Sequence, residues 1–327
     1  MKRNNRSFRP LSFLANNSAF VAVLAISIFG ALAVPHFRSE ANTSSILNQY
    51  SIIGLLALGQ LLVIISGGVD LSQGGMVALY SIVAAVMMKS YPPALAIAVA
   101  TLVILFLGCV NGFLVARAKM PPFIVTFGVL QVCRGVALMI ANARPVAIKY
   151  EEFTNLGFMA IANIPLSTIV WVIASLIVAF ILSRRKIGRH IYAIGSNEEG
   201  TRLSGVNVTR TKFLIYVFAA ACVSVGALMW TARVKSGQPI GASGYELETI
   251  AAVVVGGGSL SGGKGTVFGC ICGVLLFGVI SSMLNLIGVP PLWQGMVKGV
   301  VMLLAVSLGE FQKRIRSTEE RTYEQAF

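Results

Sequence analysis

The chain has 327 residues, of which 56% are apolar and only 12% charged, against roughly 45–50% and 25% in an ordinary soluble domain. With a mean hydropathy of +0.81, that apolar surface exceeds what one soluble core of this length can bury, so the composition excludes a soluble globular fold and points to an integral membrane protein. The formal net charge of +14 reads as a basic membrane face and not as a nucleic-acid surface.

Residues 1–17 carry Lys2, Arg3, Arg6 and Arg9 and form a basic N-terminal segment. An apolar run over 18–35 follows, with "ALA" at Ala31–Ala33. That pattern resembles a cleavable signal, but the run is longer than most such segments and many more follow, so it reads as an uncleaved first helix. Further apolar stretches lie near 46–65, 71–88, 93–116, 123–142, 164–183, 213–231, 247–258, 266–285 and 293–308. A helix needs ~20 residues to cross a hydrocarbon core of ~30 Å. The expected fold is therefore all-α and polytopic, with about ten transmembrane helices in a membrane domain over 18–308. A tail over 309–327 closes the chain. Two stretches are weak: 71–88 opens on polar and glycine residues, and 247–258 dissolves into glycine. Both are candidates for broken helices, half-spans or re-entrant pieces.

Charge supports ten crossings with both termini inside. The segments then assigned to the cytoplasm hold eighteen Lys and Arg, including seven between Arg184 and Lys212, and the outer segments hold six. Nine crossings would put the basic tail outside, against the positive-inside rule.

The chain echoes itself. "GGVDLSQGG" at Gly67–Gly75 aligns with "GGGSLSGGK" at Gly256–Lys264, each after an apolar run and each opening another. Weak internal repeats with glycine-interrupted helices at corresponding positions are a transporter signature. Gly258–Lys264 also has the spacing of a phosphate-binding loop. That loop needs Ser or Thr straight after the Lys and a strand-to-helix setting. Gly265 follows Lys264, Thr266 comes one place late, and the longest cytoplasmic loop spans only 184–212. ATP binding by this chain is rejected. Glycine here breaks helices and lets them pack closely, as do Gly265, Gly269 and Gly273 at four-residue spacing, and Gly108 with Gly112.

Charges inside the bilayer cost at least ~2.5–3.5 kcal/mol and are functional candidates by default. Asp70, the chain's one aspartate, Arg134 and Lys298 qualify, and Ser72 lies beside Asp70. Two readings of Asp70 stand: a cap for the helix that follows, or a gate partner for Arg134 or Lys298. Polar Gln60, Asn111, Gln131, Asn285 and Gln294, with aromatic Phe127, Trp230 and Trp293, are further path candidates or ordinary helix glue. Cys109, Cys133, Cys222, Cys270 and Cys272 lie in apolar runs with no Cys-x-x-Cys, and His36 and His190 are far apart. No disulfide framework, metal site or catalytic residue is expected.

The loop over 184–212 contains "EEGTRLSG" at Glu198–Gly205. An acidic pair at a helix start suits the helix dipole, and the small residues would let another protein approach.

From about Ser51 to Leu308 the chain resembles the membrane permeases of bacterial ABC importers for sugars, in the ribose-type branch. Four stretches carry the resemblance: "GGVDLSQGG", "MPPFIVTFGVLQVCRGVALM" at Met120–Met139, "GRHIYAIGSNEEGTRLSGVNV" at Gly188–Val208, and "AAVVVGGGSLSGGKGTVFG" at Ala251–Gly269. The resemblance implies a path-forming subunit of the bacterial inner membrane, without a cofactor. It also implies a separate ATP-binding subunit, a periplasmic solute-binding protein, a second permease copy or homologue, and a monosaccharide substrate. In such permeases a Glu-Ala-Ala-x-x-x-Gly loop docks on the ATPase. Glu199, Gly200, Thr201 and Gly205 hold those positions, with Glu198 alongside. Gly200 and Thr201 replace the two alanines, and Gly200 costs a helix ~1 kcal/mol, which puts a firm helix there in doubt. An ion-coupled secondary transporter is the alternative, since a repeat and broken helices suit that class too. Few acidic residues lie where it would need its ion site.

Overall fold

The computed structural model describes residues 18–290, 293–300 and 303. The first five helices are α1 (Ser18–Ala33), α2 (Glu40–Ile65), α3 (Gln73–Met87), α4 (Pro93–Ala116) and α5 (Pro122–Ala141). Then come α6 (Glu151–Asn155), α7 (Leu166–Arg184), α8 (Lys186–Ser196), α9 (Glu198–Leu203), α10 (Val208–Val234), α11 (Tyr245–Val255) and α12 (Val267–Leu286). Residues 293–300 are also helical. Two short antiparallel pairings, Val146–Ala147 with Ser236–Gly237 and Ala160–Ile161 with Ile164–Pro165, tie loops together.

Local signals set the helix ends. α4 and α5 each open on a proline, which has no N–H to waste and a pre-set φ. Ser39 caps α2 by accepting from Asn42 N at 3.2 Å, so α2 starts at Glu40 and not at 46. Its first turns are polar and carry no apolar signal. Asn207 likewise caps α10 by accepting from Arg210 N at 2.8 Å, which extends that helix beyond 213–231.

α2 is the axis of the fold. It is buried without interruption from Tyr50 to Ile65, as expected of a helix apolar on every face. α7, α10, α11 and α12 pack around it, α4 lies across α10, and α1 lies against α12. Glycine sets the closest approaches. A Cβ on Gly269 or Gly273 would collide with the Gly256 or Ala252 carbonyl of α11, and one on Gly108 with Ala220 of α10.

Among the described residues, six helices, α2, α4, α5, α7, α10 and α12, are long and apolar enough to cross a membrane, and α1 and α3 are shorter apolar helices. The two weak stretches are short: α3 has 15 residues, a rise of ~22 Å, and α11 has 11, a rise of ~16 Å, against a ~30 Å core. The expected last span, 293–308, lies partly outside the described residues, as do the segments 1–17 and 309–327.

Candidate functional site

The first glycine break is a buried turn. α2 ends in a left-handed residue, Gly67 at φ +84°. Gly68 N returns to Val63 O at 3.0 Å, the six-to-one bond of a glycine C-cap. Residues 68–72 then run non-helically and almost wholly buried to α3. Irregular backbone at that depth needs protein partners for its polar groups, and it has them. Leu71 N donates to Thr126 Oγ1 at 3.0 Å, Asn111 Nδ2 to Ser72 Oγ at 3.0 Å, and Gln73 Nε2 to Leu56 O at 3.3 Å. The Gln60 amide lies along the Asp70 backbone, and hydrogen bonding assigns its nitrogen to the side facing Asp70 O, 2.9 Å away.

Asp70 is 2% exposed. Its Oδ1 accepts from Ser72 N at 2.8 Å and from the Ser72 hydroxyl. It thus closes the turn before α3 and, among the described residues, forms no ion pair. The gate pairing of Asp70 with Arg134 or Lys298 is not what the structure contains, because each cation has a different acid. Arg134 on α5 faces Glu246 at 3.9 Å and donates to Ser243 Oγ. Lys298 pairs with Glu248 at 2.9 Å, and Tyr50 OH donates to the same Glu248 oxygen at 3.1 Å.

Both acids belong to α11. Two residues apart on a helix, they point ~200° from each other, so this eleven-residue helix is pinned from two sides. Glu246 also packs on the bare Cα of Gly74 in the first turn of α3, where free N–H groups favour negative charge. Thr249 Oγ1 adds a bond to Gln73 Oε1 at 3.0 Å. The N-terminal turns of the two short helices therefore meet inside the protein. A groove of about 340 Å³ runs along α11 from Ser243 past Leu247 to Lys298. Beyond Tyr50, a second cavity of about 250 Å³ presents Ser45, Gln49, Ser282 and Asn285.

The remaining polar and aromatic candidates divide. Gln60 and Asn111 are buried in the first break, and Asn285 bonds Gln294 at 2.8 Å. Trp230 is buried, whereas Gln131, Phe127 and Trp293 are exposed. Glu246, Glu248 and Tyr50 were missed in the sequence. Two unmatched cations inside spans were the available signal, since each requires an acid nearby.

Glu198–Leu203 is helical despite Gly200. Asn197 caps α9 by accepting from Gly200 N at 2.8 Å, and Arg202 reaches back to Glu199 at 2.7 Å and Glu198 at 3.0 Å. Lys212 also holds Glu198. A cap worth ~1 kcal/mol offsets the glycine cost. Gly205 follows at φ +83° with open space around it.

The second glycine stretch repeats the first turn one residue out of the expected register. Gly257 is left-handed at φ +91°, and Gly258 N returns to Val253 O at 2.8 Å, so Gly257, not Gly256, matches Gly67. The connector to α12 is longer than the first break and joins helix to helix, with Lys264 exposed, unlike a phosphate-binding loop.

The sequence matches the family described as branched-chain amino acid transport system / permease component over residues 42–306. It is 39% identical over 295 residues to a ribose import permease protein of Bacillus subtilis, covering 88% of this chain and 89% of the relative. It is 36% identical over 308 residues to the ribose import permease protein of Escherichia coli, covering 93% and 96%. An L-arabinose transport system permease protein of Escherichia coli is 33% identical over 298 residues, covering 91% and 90%. No solved structure matches the chain significantly.

Proposed function

The chain belongs to the family of permease components matched over residues 42–306, and on that premise we propose that it forms the path of an ATP-driven, binding-protein-dependent importer for a monosaccharide. The relatives named for ribose and arabinose support the sugar class. They also favour an importer subunit over an ion-coupled carrier. The chain catalyses no covalent step. A separate ATP-binding subunit hydrolyses ATP, a solute-binding protein delivers the sugar outside, and a second permease subunit completes the path.

One observation carries the placement of the path. Arg134, partly buried, and Glu246, buried, form a polar cluster with exposed Ser243, beside exposed Gln131. Such groups are costly against lipid, so this face of α5 and α11 looks onto the aqueous path and the second subunit. α9, with Glu198, Glu199, Gly200, Thr201 and Gly205, is the surface for the ATPase. Its end of the fold is cytoplasmic, in line with the basic residues from Arg184 to Lys212, and both termini lie on that side. The loaded binding protein docks at the other end. Rearrangement of the ATPase subunits moves α9, and the path opens first to one side and then to the other.

Gln131→Cys tests the path directly. A membrane-impermeant thiol reagent is expected to modify it and block uptake, while Phe106→Cys, on an apolar face, stays unreactive. The reverse pattern would remove this face from the path. The family description names branched-chain amino acids, so competition of D-ribose uptake by L-leucine decides between the two solute classes.

A further inference from the structure

α8 touches both glycine breaks at once. Its Tyr192 hydroxyl donates to Gly265 O at 2.8 Å. Burial raises the Tyr192 pKa above the ordinary tyrosine value, so the group stays a protonated donor. Three residues on, Gly195 lies flush against two backbones: a Cβ there would collide with Ile65 O and crowd Gly263 N. Gly263 N in turn donates to Ile65 O at 2.8 Å. Gly262 and Gly263, at φ +86° and +72°, lie on Gly195 and Ser196. Ile65 is the last residue of α2 before the turn that leads to Asp70, and Gly265 precedes the cap of α12. Only Asn197 separates α8 from α9.

Building on the permease reading above, we propose that α8 is the lever through which α9 moves both breaks together, with Tyr192 and Gly195 as its positioning residues. At Gly195 the contact is backbone on backbone, with no side chain between that can change rotamer and absorb the displacement, and the Tyr192 hydroxyl ties α8 to the second break directly. Packed interiors of this kind shift as units. A displacement of α8 therefore reaches the end of α2 and the connector 256–266 simultaneously. Through that connector it reaches α11, which carries Glu246 and Glu248. α8 thus holds the first break at Ile65 and the second at Gly262, Gly263 and Gly265, between the two short helices.

The test uses the full importer in liposomes: the chain with its ATPase and binding subunits, with D-ribose as the solute. Gly195→Ala can prevent folding, so Tyr192→Phe, which removes one oxygen, carries the result. Basal ATP hydrolysis and ATPase co-purification are expected to be unchanged. Ribose delivered per ATP is expected to fall by about five- to tenfold, the scale of one buried hydrogen bond acting on a conformational equilibrium. An unchanged ratio overturns the lever. So does loss of ATPase binding, which would make Tyr192 a docking residue. A second readout needs no sugar: maleimide labelling of Leu247→Cys on α11, with and without ATP. Its rate is expected to depend on ATP, and that dependence is expected to vanish in Tyr192→Phe. Labelling that ignores ATP in the parent, or still follows ATP in the variant, overturns the inference. Absence of ribose uptake by the parent, with ATP-dependent labelling intact, removes the sugar reading alone.

Discussion

Gly263 donates its backbone N–H to the carbonyl oxygen of Ile65 at 2.8 Å. That one bond joins the second glycine stretch to the end of the central helix, beside the helix that leads into α9. Glu246 and Glu248 lie on α11, the helix that the same connector joins to α12.

Asp70 is an acceptor within a turn, and its charge has no cationic partner among the described residues. Asp70→Asn keeps an oxygen for Ser72 N, so uptake and folding are expected to stay near the parent level. Asp70→Leu strands the Ser72 N–H and hydroxyl in a dry site, a loss of ~1–3 kcal/mol read as a lowered melting temperature in detergent. A dead but well-folded Asp70→Asn protein would return Asp70 to the gate.

Arg134 and Glu246 depend on each other. Removing one leaves a charge uncompensated, at ~3–5 kcal/mol, so Arg134→Met and Glu246→Gln are each expected to be strongly destabilised. The double variant is expected to recover most of that loss. Thermal unfolding of the four proteins gives the cycle. Additive losses would show that the 3.9 Å pair carries no coupling.

The Lys298–Glu248 pair is expected to behave in the same way, with Tyr50 as a third member. Tyr50→Phe removes a donor to Glu248 and to Ser281 and is expected to cost about 1 kcal/mol. In Glu248→Gln that same change is expected to cost less. Equal costs in both backgrounds would uncouple Tyr50 from the pair.

At α9, Asn197→Ala removes the cap and is expected to weaken the helix by ~1 kcal/mol. Gly205→Arg places a long side chain at φ +83° on the face proposed for the ATPase. Uptake and co-purification of the ATPase subunit are expected to fall together while expression holds. ATP-driven uptake that survives Gly205→Arg would move the docking surface elsewhere.

Much of the fold was readable from residue order. The run 93–116 coincides with α4 because Pro92–Pro93 starts it and Arg117 ends it, both local signals. The weakness of 71–88 and 247–258 was visible in their polar and glycine content, and both helices are short. Asp70's partners were less visible. The expected cap of a helix from Leu71 is not formed, because the helix begins at Gln73 and Asp70 bonds Ser72 within the preceding turn, whereas ion pairing depends on which helix lies opposite. Glu246 and Glu248 looked like the edge of a weak span, because their cations arrive from α5 and from residues 293–300. Gly195 gave no signal at all, since its role is the absence of a side chain against a backbone far away in sequence.

In the proposed function, ATP acts through a partner subunit and α9 to drive a sugar through this chain. The direct measurement is D-ribose uptake into liposomes holding the chain with its ATPase and binding subunits, with ionophores collapsing every ion gradient. Uptake is expected to follow ATP and to stop without it. Uptake that follows an imposed ion gradient and ignores ATP would contradict the account.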